Sequence, residues 1–353
     1  MKKIKVIIIG AGLSGLVTAY LLQKKGIECI VLEANARMGG RIETITGATS
    51  VTMEMGATWF SRQHQLVFEL INELGLNYFE QYTQGISLME MMSGVPLQTF
   101  QISEYEESSY RIAGGTITLI DKLAAIIGSQ RIITHKQVTA IHVHNNQVEV
   151  RDSKGGIYFA DKVVTTLPPH LLVQTINFEP SLPESFLQLA KRTHTWMGES
   201  IKIAVEYKTP FWRENHFSGA LFSHSSIVQE MYDHSTFDHK GYALKGFLNV
   251  GTYTLPKDER KEKVIAQLTA YFGAEAKHLV AYHEKMWRVD PLTFFPYEHD
   301  VTAHQNNGHL GFQKAFLDDK LLISGSETAT LHPGYMDGAI FAAYKVAANI
   351  IAS

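Results

Sequence analysis

Apolar residues along the chain keep two rhythms, and these predict the elements. Residues 3–9 (KIKVIII) are a β-branched apolar run, the mark of a short buried strand. GAGLSG at 10–15 is a turn. From Leu13 to Lys25 the spacing becomes helical, with Leu16, Ala19, Tyr20 and Leu22 inward, and Gly26 stops the helix. IECIVLE at 27–33 is a second strand. Strand, tight turn, helix and strand within about thirty residues make a βαβ unit and imply a parallel sheet.

Residues 64–76 (HQLVFELINELGL) have the pattern of an amphipathic helix closed by Gly75, and 116–127 that of another. Residues 81–110 are polar and show no clear period. Met89, Met91 and Met92 cluster there and read as gap-filling core or a lid rather than a binding box. Beyond them strands dominate. QVTAIHVHNNQVEVRD (137–152) alternates around Asn145-Asn146 as a hairpin does. YFADKVVTTLPP (158–169) ends at a proline pair, SIKIAVEY (200–207) alternates strictly, and KLLISG (320–325) is a last buried strand. Helices are expected at 257–272 and, rich in alanine, at 337–351. No internal repeat or low-complexity linker separates the segments, so the domains are expected to interleave along the chain.

Composition narrows the class. The 353 residues suit two domains, and 45% hydrophobic against 19% charged residues is enough to bury a sizeable core. A net charge of −3 excludes a strongly basic nucleic-acid binder and leaves no polybasic membrane patch. The one cysteine, Cys29, excludes an intrachain disulfide framework and a Cys-based metal site. The uncharged run Val6–Leu22 after Lys2, Lys3 and Lys5 has the look of a signal peptide, but Gly10, Gly12 and Gly15 interrupt it and no small-x-small cleavage site follows. A soluble, cytoplasmic protein is expected, with no membrane or nucleic-acid partner. A homodimer is left open.

Candidate chemistry starts at Gly10-x-Gly12-x-x-Gly15, after a strand and opening a helix. Gly10 permits the turn, Gly12 lets backbone approach a pyrophosphate, and Gly15 lets helix and strand pack closely. The helix start, with Leu13 and Ser14, then offers free N–H groups to phosphate. Glu33 ends the second strand, where an acid accepts hydrogen bonds from ribose hydroxyls. Spacing alone leaves NAD and FAD open, and leaves Ala36-Arg37-Met38-Gly39-Gly40-Arg41 either a pyrophosphate site or a solvated turn. Sixteen histidines raise the question of a metal. His142 and His144 share a strand face, and His299, His304 and His309 recur every five residues, but neither set has acidic partners nearby in sequence, so no metal site is expected.

Taken together, these segments resemble the flavin amine oxidase family over nearly the whole chain. GxGxxG with Glu33 and ARMGGR look like its FAD signature. Glu54-Met55-Gly56-Ala57-Thr58-Trp59 is similar to its E-x-G-x-x-W segment along the flavin. Ala113-Gly114-Gly115 before a helix, Val163–Pro169, Lys202 ahead of K-x-P-F-W, Gly325–Ala329 (GSETA) and Gly334-Tyr335-Met336-Asp337-Gly338 follow in order. The resemblance implies an α/β fold: a Rossmann-like, glutathione-reductase-like FAD domain (1–78, 111–194 and 292–353) with an interleaved α+β substrate domain (79–110 and 195–291) of reduced helical part. It also implies noncovalent FAD, because Pro296 follows Trp287 where relatives carry a tethering cysteine.

By the same resemblance, Glu33 and Ala34 serve the adenosine ribose. Arg37, Gly40 and Arg41 lie near the adenine and pyrophosphate. Val138 meets the adenine edge through its backbone. Gly56, Ala57, Thr58, Trp59, Pro168, Trp287, Gly325, Glu327 and Met336 complete the seat, Glu327 beside the pyrophosphate and ribityl chain. The helix opening near Gly334 would aim its positive end at the flavin. The segment between Trp59 and Gly114 is far shorter than in eukaryotic members, which implies a wide entrance.

Three residues are implied in the chemistry. Lys202 by alternation alone shares a solvated edge with Ala204 and Glu206; the resemblance instead puts it by a water at the flavin N5 atom. Tyr335 by itself is an aromatic packed at a helix start; the resemblance makes it one wall of an aromatic pair flanking the substrate amine, with Tyr297 as the second. The implied activity is FAD-dependent oxidation of a small-molecule amine to an imine and then an aldehyde, with O2 reduced to H2O2. Trp59 stands where amino-acid oxidases place a carboxylate-clamping arginine, which disfavours an α-amino acid substrate. A desaturase or dehydrogenase of the same fold, or a flavin-binding protein without amine turnover, is the alternative.

Overall fold

The computed structural model describes residues 4–103, 107–144 and 147–353. Its first layer is the βαβ unit. Ile4–Ile9 pairs parallel with Cys29–Leu32 on one side and Ile157–Thr165 on the other. The helix between them, Leu13–Lys24, is buried nearly all round and so carries little amphipathic contrast. It lies between the sheet and two further helices, Ile117–Ile127 and Met336–Ala352. The uncharged run Val6–Leu22 is thus most of a strand, a turn and most of this helix.

The sheet runs Ile132–Ile133, Cys29–Leu32, Ile4–Ile9, Ile157–Thr165, Gln147–Asp152, Val138–His144, Asn177–Glu179. Ile157–Thr165 is the branch point. Its first half pairs antiparallel with Gln147–Asp152, and its second half pairs parallel with Leu321–Ile323. The expected hairpin is present as antiparallel strands; its Asn145-Asn146 turn lies outside the described residues. The proline pair does more than end a strand, because Pro169 opens a short helix, Pro169–Thr175, where a proline at the first position loses no hydrogen bond.

A second sheet runs Ala281–Met286, Ile201–Tyr207, Tyr242–Leu248, Val228–Asp233, Phe217–Ser223, Ile86–Glu90, Gln98–Phe100. Ile201, Ile203, Val205 and Tyr207 face the helix Lys257–Phe272 in one core. The opposite face turns toward the first layer, where Ala204 and Ala243 pack on Val51, Met53 and Met55. Every residue of Ile201–Tyr207 is therefore buried, including Lys202 and Glu206. The solvated edge read from alternation is overturned, because an alternating strand is solvated on its polar face only when nothing packs there. Glu206 is satisfied by Ala48 N, Thr49 N and the Thr49 hydroxyl.

The polar stretch 81–110 supplies the last two strands of this sheet and, at Ser109–Ile112, part of a small sheet with Phe60–Ser61 and Tyr78–Glu80. Met91 and Met92 are 44% and 63% exposed in the connection after Ile86–Glu90, so they do not fill the core. Among the described residues, no helix is long and apolar enough to cross a membrane.

Candidate active site

A cavity of about 1360 Å³ runs from the turn after the first strand to the inner face of the second sheet. That exceeds the roughly 300–1,000 Å³ of ordinary small-molecule sites, so there is room for a dinucleotide and a substrate together.

The turn shows why its glycines differ. A Cβ on Gly15 would lie 2.0 Å from the Gly10 carbonyl oxygen, so Gly15 is a packing residue and does not line the cavity. A Cβ on Gly12 would meet nothing nearer than Gly39 O at 3.9 Å; the space before it is cavity. This is the cradle a pyrophosphate needs, with Gly10, Leu13 and Ser14 beside it at the helix start. Gly12→Val should leave the melting temperature of the flavin-free chain within a few degrees and abolish FAD binding. Gly15→Ala should cost about 1–3 kcal/mol of stability through overpacking, read in denaturant titrations.

Glu33 and Ala34 line the same end, with Arg37, Gly40, Val138, Pro168 and Gly325. The Glu33 carboxylate accepts from Ala11 N at 2.6 Å and Asn35 N at 2.8 Å, which ties it to the phosphate turn. Burial raises its pKa against those bonds. The Arg37 guanidinium is turned into its own loop: it donates to Met38 O, Gly40 O and Ile42 O and pairs with Glu43 at 2.8 Å. Its visible work is to hold the loop's shape. Arg41 lines the cavity and donates to Glu327 Oε2 at 2.8 Å, to Ser326 Oγ at 2.9 Å and to Trp196 O at 3.0 Å. Glu327 is fully buried and lies behind Arg41, outside the cavity lining. It also accepts from Trp196 N. The expected place of Glu327 beside the ribityl chain is corrected: it acts on the cavity through Arg41.

The far end has a fixed floor. Lys202 Nζ donates to Gly56 O at 2.7 Å, and Trp287 Nε1 to Met55 O at 2.8 Å. Gly56 itself is covered, while Ala57, Thr58, Trp59, Lys202 and Trp287 line the cavity. Burial pushes the Lys202 amine down to about 8, partly opposed by Glu54. Behind it lies a second lysine that sequence reading missed. Lys245, in the strand Tyr242–Leu248, is fully buried, bonds the Thr58 hydroxyl, and sits 4.2 Å from the centre of the Trp59 ring. Burial and the nearby Lys202 hold it well below its ordinary value. Its only sequence signal was a lysine inside the apolar run YALKGFL.

Both lysines bear on stability with the same sign. Unfolded, each binds its proton up to about pH 10.5; folded, each releases it earlier, so the flavin-free chain should gain stability as pH rises from about 8 toward 10. Lys245→Met should raise the melting temperature at pH 7 and reduce that slope, as measured by thermal unfolding across the range. A variant less stable at pH 7 than the parent would contradict this.

Tyr335 lines the cavity at the start of the helix Met336–Ala352, and Met336 lies beside it. Asp337 in that first turn accepts from Val67 N at 3.1 Å and bonds His332 at 2.8 Å, so the helix start is partly neutralised. Tyr297 is not the facing wall. Its hydroxyl accepts from Thr195 N at 2.7 Å and donates to Thr193 O, its ring packs on His170, and it lies outside the cavity lining. The ring beside Tyr335 on the cavity wall is Trp196, with centroids 5.9 Å apart and planes at 43°. Tyr297 pins the segment that leads into Trp196. His304 stacks on Trp196 at 3.8 Å and extends the aromatic surface. Sequence spacing carried no sign of Trp196, because the contact is made across 139 residues of chain. Phe247 and Tyr232 complete the apolar end, while Gln81, Thr83, Gln84, Gln101 and Glu107 make a polar rim.

Comparison with known proteins places this geometry. A family model described as flavin containing amine oxidoreductase matches residues 13–86 and 78–351. The putrescine oxidase of Kocuria rosea is 24% identical over 79% of this chain and 81% of its own. The flavin-containing amine oxidase B of Canis lupus familiaris is 24% identical over 99% of this chain and 86% of its own, across 463 aligned positions. That relative therefore carries more than a hundred residues this chain lacks. The two parts of the family match meet at 78–86, at the head of the polar rim. Among solved structures, the cyclohexylamine oxidase of Brevibacterium oxydans superposes with a TM-score of 0.87 at 21% identity, covering 99% of each chain.

Proposed function

The chain belongs to the flavin containing amine oxidoreductases, and on that premise we propose that its amine is oxidised against the adjoining rings of Tyr335 and Trp196, above the Lys202 floor. It is an FAD-dependent amine oxidase. FAD, when bound, would supply the two-electron oxidation of the amine to an imine, with oxygen as the electron acceptor.

The observation that carries this reading is the single continuous cavity from the Gly12 cradle to Lys202. The residues then have separable tasks. Gly12, Ser14 and Arg41 hold the dinucleotide's anionic middle, and Glu33 its ribose. Trp59, Phe247, Trp196 and Tyr335 enclose the amine in an apolar slot. Removing water there disfavours the charged ammonium and so supplies the neutral amine that oxidation requires. Lys202, anchored on Gly56 O, holds a proton at the slot's floor. Trp59 offers no cation for a substrate carboxylate, so the substrate is a simple amine rather than an α-amino acid.

Anaerobic mixing of the FAD-loaded protein with primary, secondary and diamine substrates tests this. Bleaching of the flavin absorbance by at least one class, reversed by air, is expected. A yellow protein bleached by no amine would overturn it.

A further inference from the structure

On the outer face of the first sheet, well away from the cavity, three strands bring together two imidazoles and a carboxylate. Within Val138–His144, Ile141 and Val143 turn into the core, and His142 and His144 share the opposite face, His142 largely covered and His144 exposed. Asn177–Glu179 pairs parallel with this strand and places Glu179 directly opposite His142. Gln147–Asp152 pairs on the other side and places Glu149 opposite His142 as well. His142 Nδ1 lies 3.8 Å from Glu179 Oε2, and one ligand atom from each of His142, His144 and Glu179 falls within 4.8 Å of the others.

We infer that His142, His144 and Glu179 form a binding site for one borderline divalent transition ion, of which Zn²⁺ is the type. The ligand set decides the class. Two imidazoles and one carboxylate suit zinc, nickel or copper, whereas magnesium and calcium want oxygen alone. Tetrahedral zinc with bonds of about 2.0–2.1 Å needs its ligand atoms about 3.3 Å apart, a contraction that rotation of the exposed Glu179 and His144 side chains provides. The backbone register, not the side chains, sets the spacing. Glu149 is engaged by Arg151, so it neutralises that neighbour and leaves Glu179 as the unbalanced charge beside the imidazoles. Without an ion, an imidazole–carboxylate pair with Glu179 63% exposed contributes little.

The site joins the last strand of the sheet to its neighbour, which gives the ion a role: it clasps the sheet's free end. It lies four residues along the strand from Val138, about 13 Å from the cavity wall, so amine oxidation should not depend on it.

Equilibrium dialysis of the FAD-loaded chain against zinc chloride at pH 7.5 should find one ion per chain at micromolar concentration. Binding should weaken at least tenfold in His144→Ala and several-fold in Glu179→Gln, and should not change in His239→Ala, a control at another exposed histidine. Zinc should raise the melting temperature of the parent but not of His144→Ala. Copper bound in its place should show nitrogen splitting in its electron paramagnetic resonance spectrum, lost in the same variant. If His142→Ala/His144→Ala binds zinc as the parent does, or if the parent binds none, the assignment fails.

Discussion

Lys202→Met should slow reoxidation of the reduced enzyme by oxygen about a hundredfold, the scale for removing one preorganised electrostatic partner from a dry site. Reduction by amine should change only a few-fold. The reason lies in position and charge. Lys202 is held against Gly56 O under a water-excluding aromatic cover, where a cation stabilises negative charge far better than in bulk solvent. Burial has also moved its titration to about 8, inside the working range. The parent's oxygen step should therefore slow as pH rises through about 8 and the cation is lost, while the Met variant's should be flat there. Stopped-flow absorbance from pH 6.5 to 9.5 gives both numbers. Equal reoxidation rates in parent and variant would remove Lys202 from the site. The same replacement should stabilise the flavin-free chain, since it deletes a costly buried amine.

The second large effect is structural. Glu327→Ala should lower folding stability by about 3 kcal/mol, toward the lower end for breaking a buried ion pair. Glu327 is fully enclosed, but Arg41 keeps 25% of its side chain open, so solvent softens the loss. The damage should reach the cavity as well. Trp196 N loses its acceptor and Arg41 loses the partner that aims it, so FAD should bind more weakly and the wall beside Tyr335 should loosen. Glu327→Gln keeps an acceptor for Trp196 N without the charge and should fall between. Denaturant midpoints and flavin dissociation measured on the three proteins decide it; an Ala variant within 1 kcal/mol of the parent would show that Arg41 needs no carboxylate.

How far the sequence was readable follows from how local each contact is. The βαβ unit was legible because strand, glycine turn, helix and Glu33 lie within one short stretch. The helices at 65–73 and 117–127 were legible because one face of each is apolar. Lys202 was legible only through family resemblance, since its own alternation pointed to solvent. What hid its burial was the packing of one sheet on Met53 and Met55 of another layer. Lys245 and Trp196 were missed for the same reason. Tyr297 was misplaced because a residue next to the right loop need not face the cavity. Glu179 joined His142 only through parallel pairing, which leaves no trace in the intervening sequence.

The stretch 55–58 is bolted from below at three successive points: Met55 O by Trp287, Gly56 O by Lys202, and the Thr58 hydroxyl by Lys245. Its amides should exchange with solvent as slowly as those of a core strand, although it belongs to no long ladder. An anvil fixed so firmly cannot be retuned for a new substrate without losing its bolts. Divergence in what the enzyme accepts must then be written in the polar rim around Thr83, Gln84 and Gln101, which the bolts do not reach.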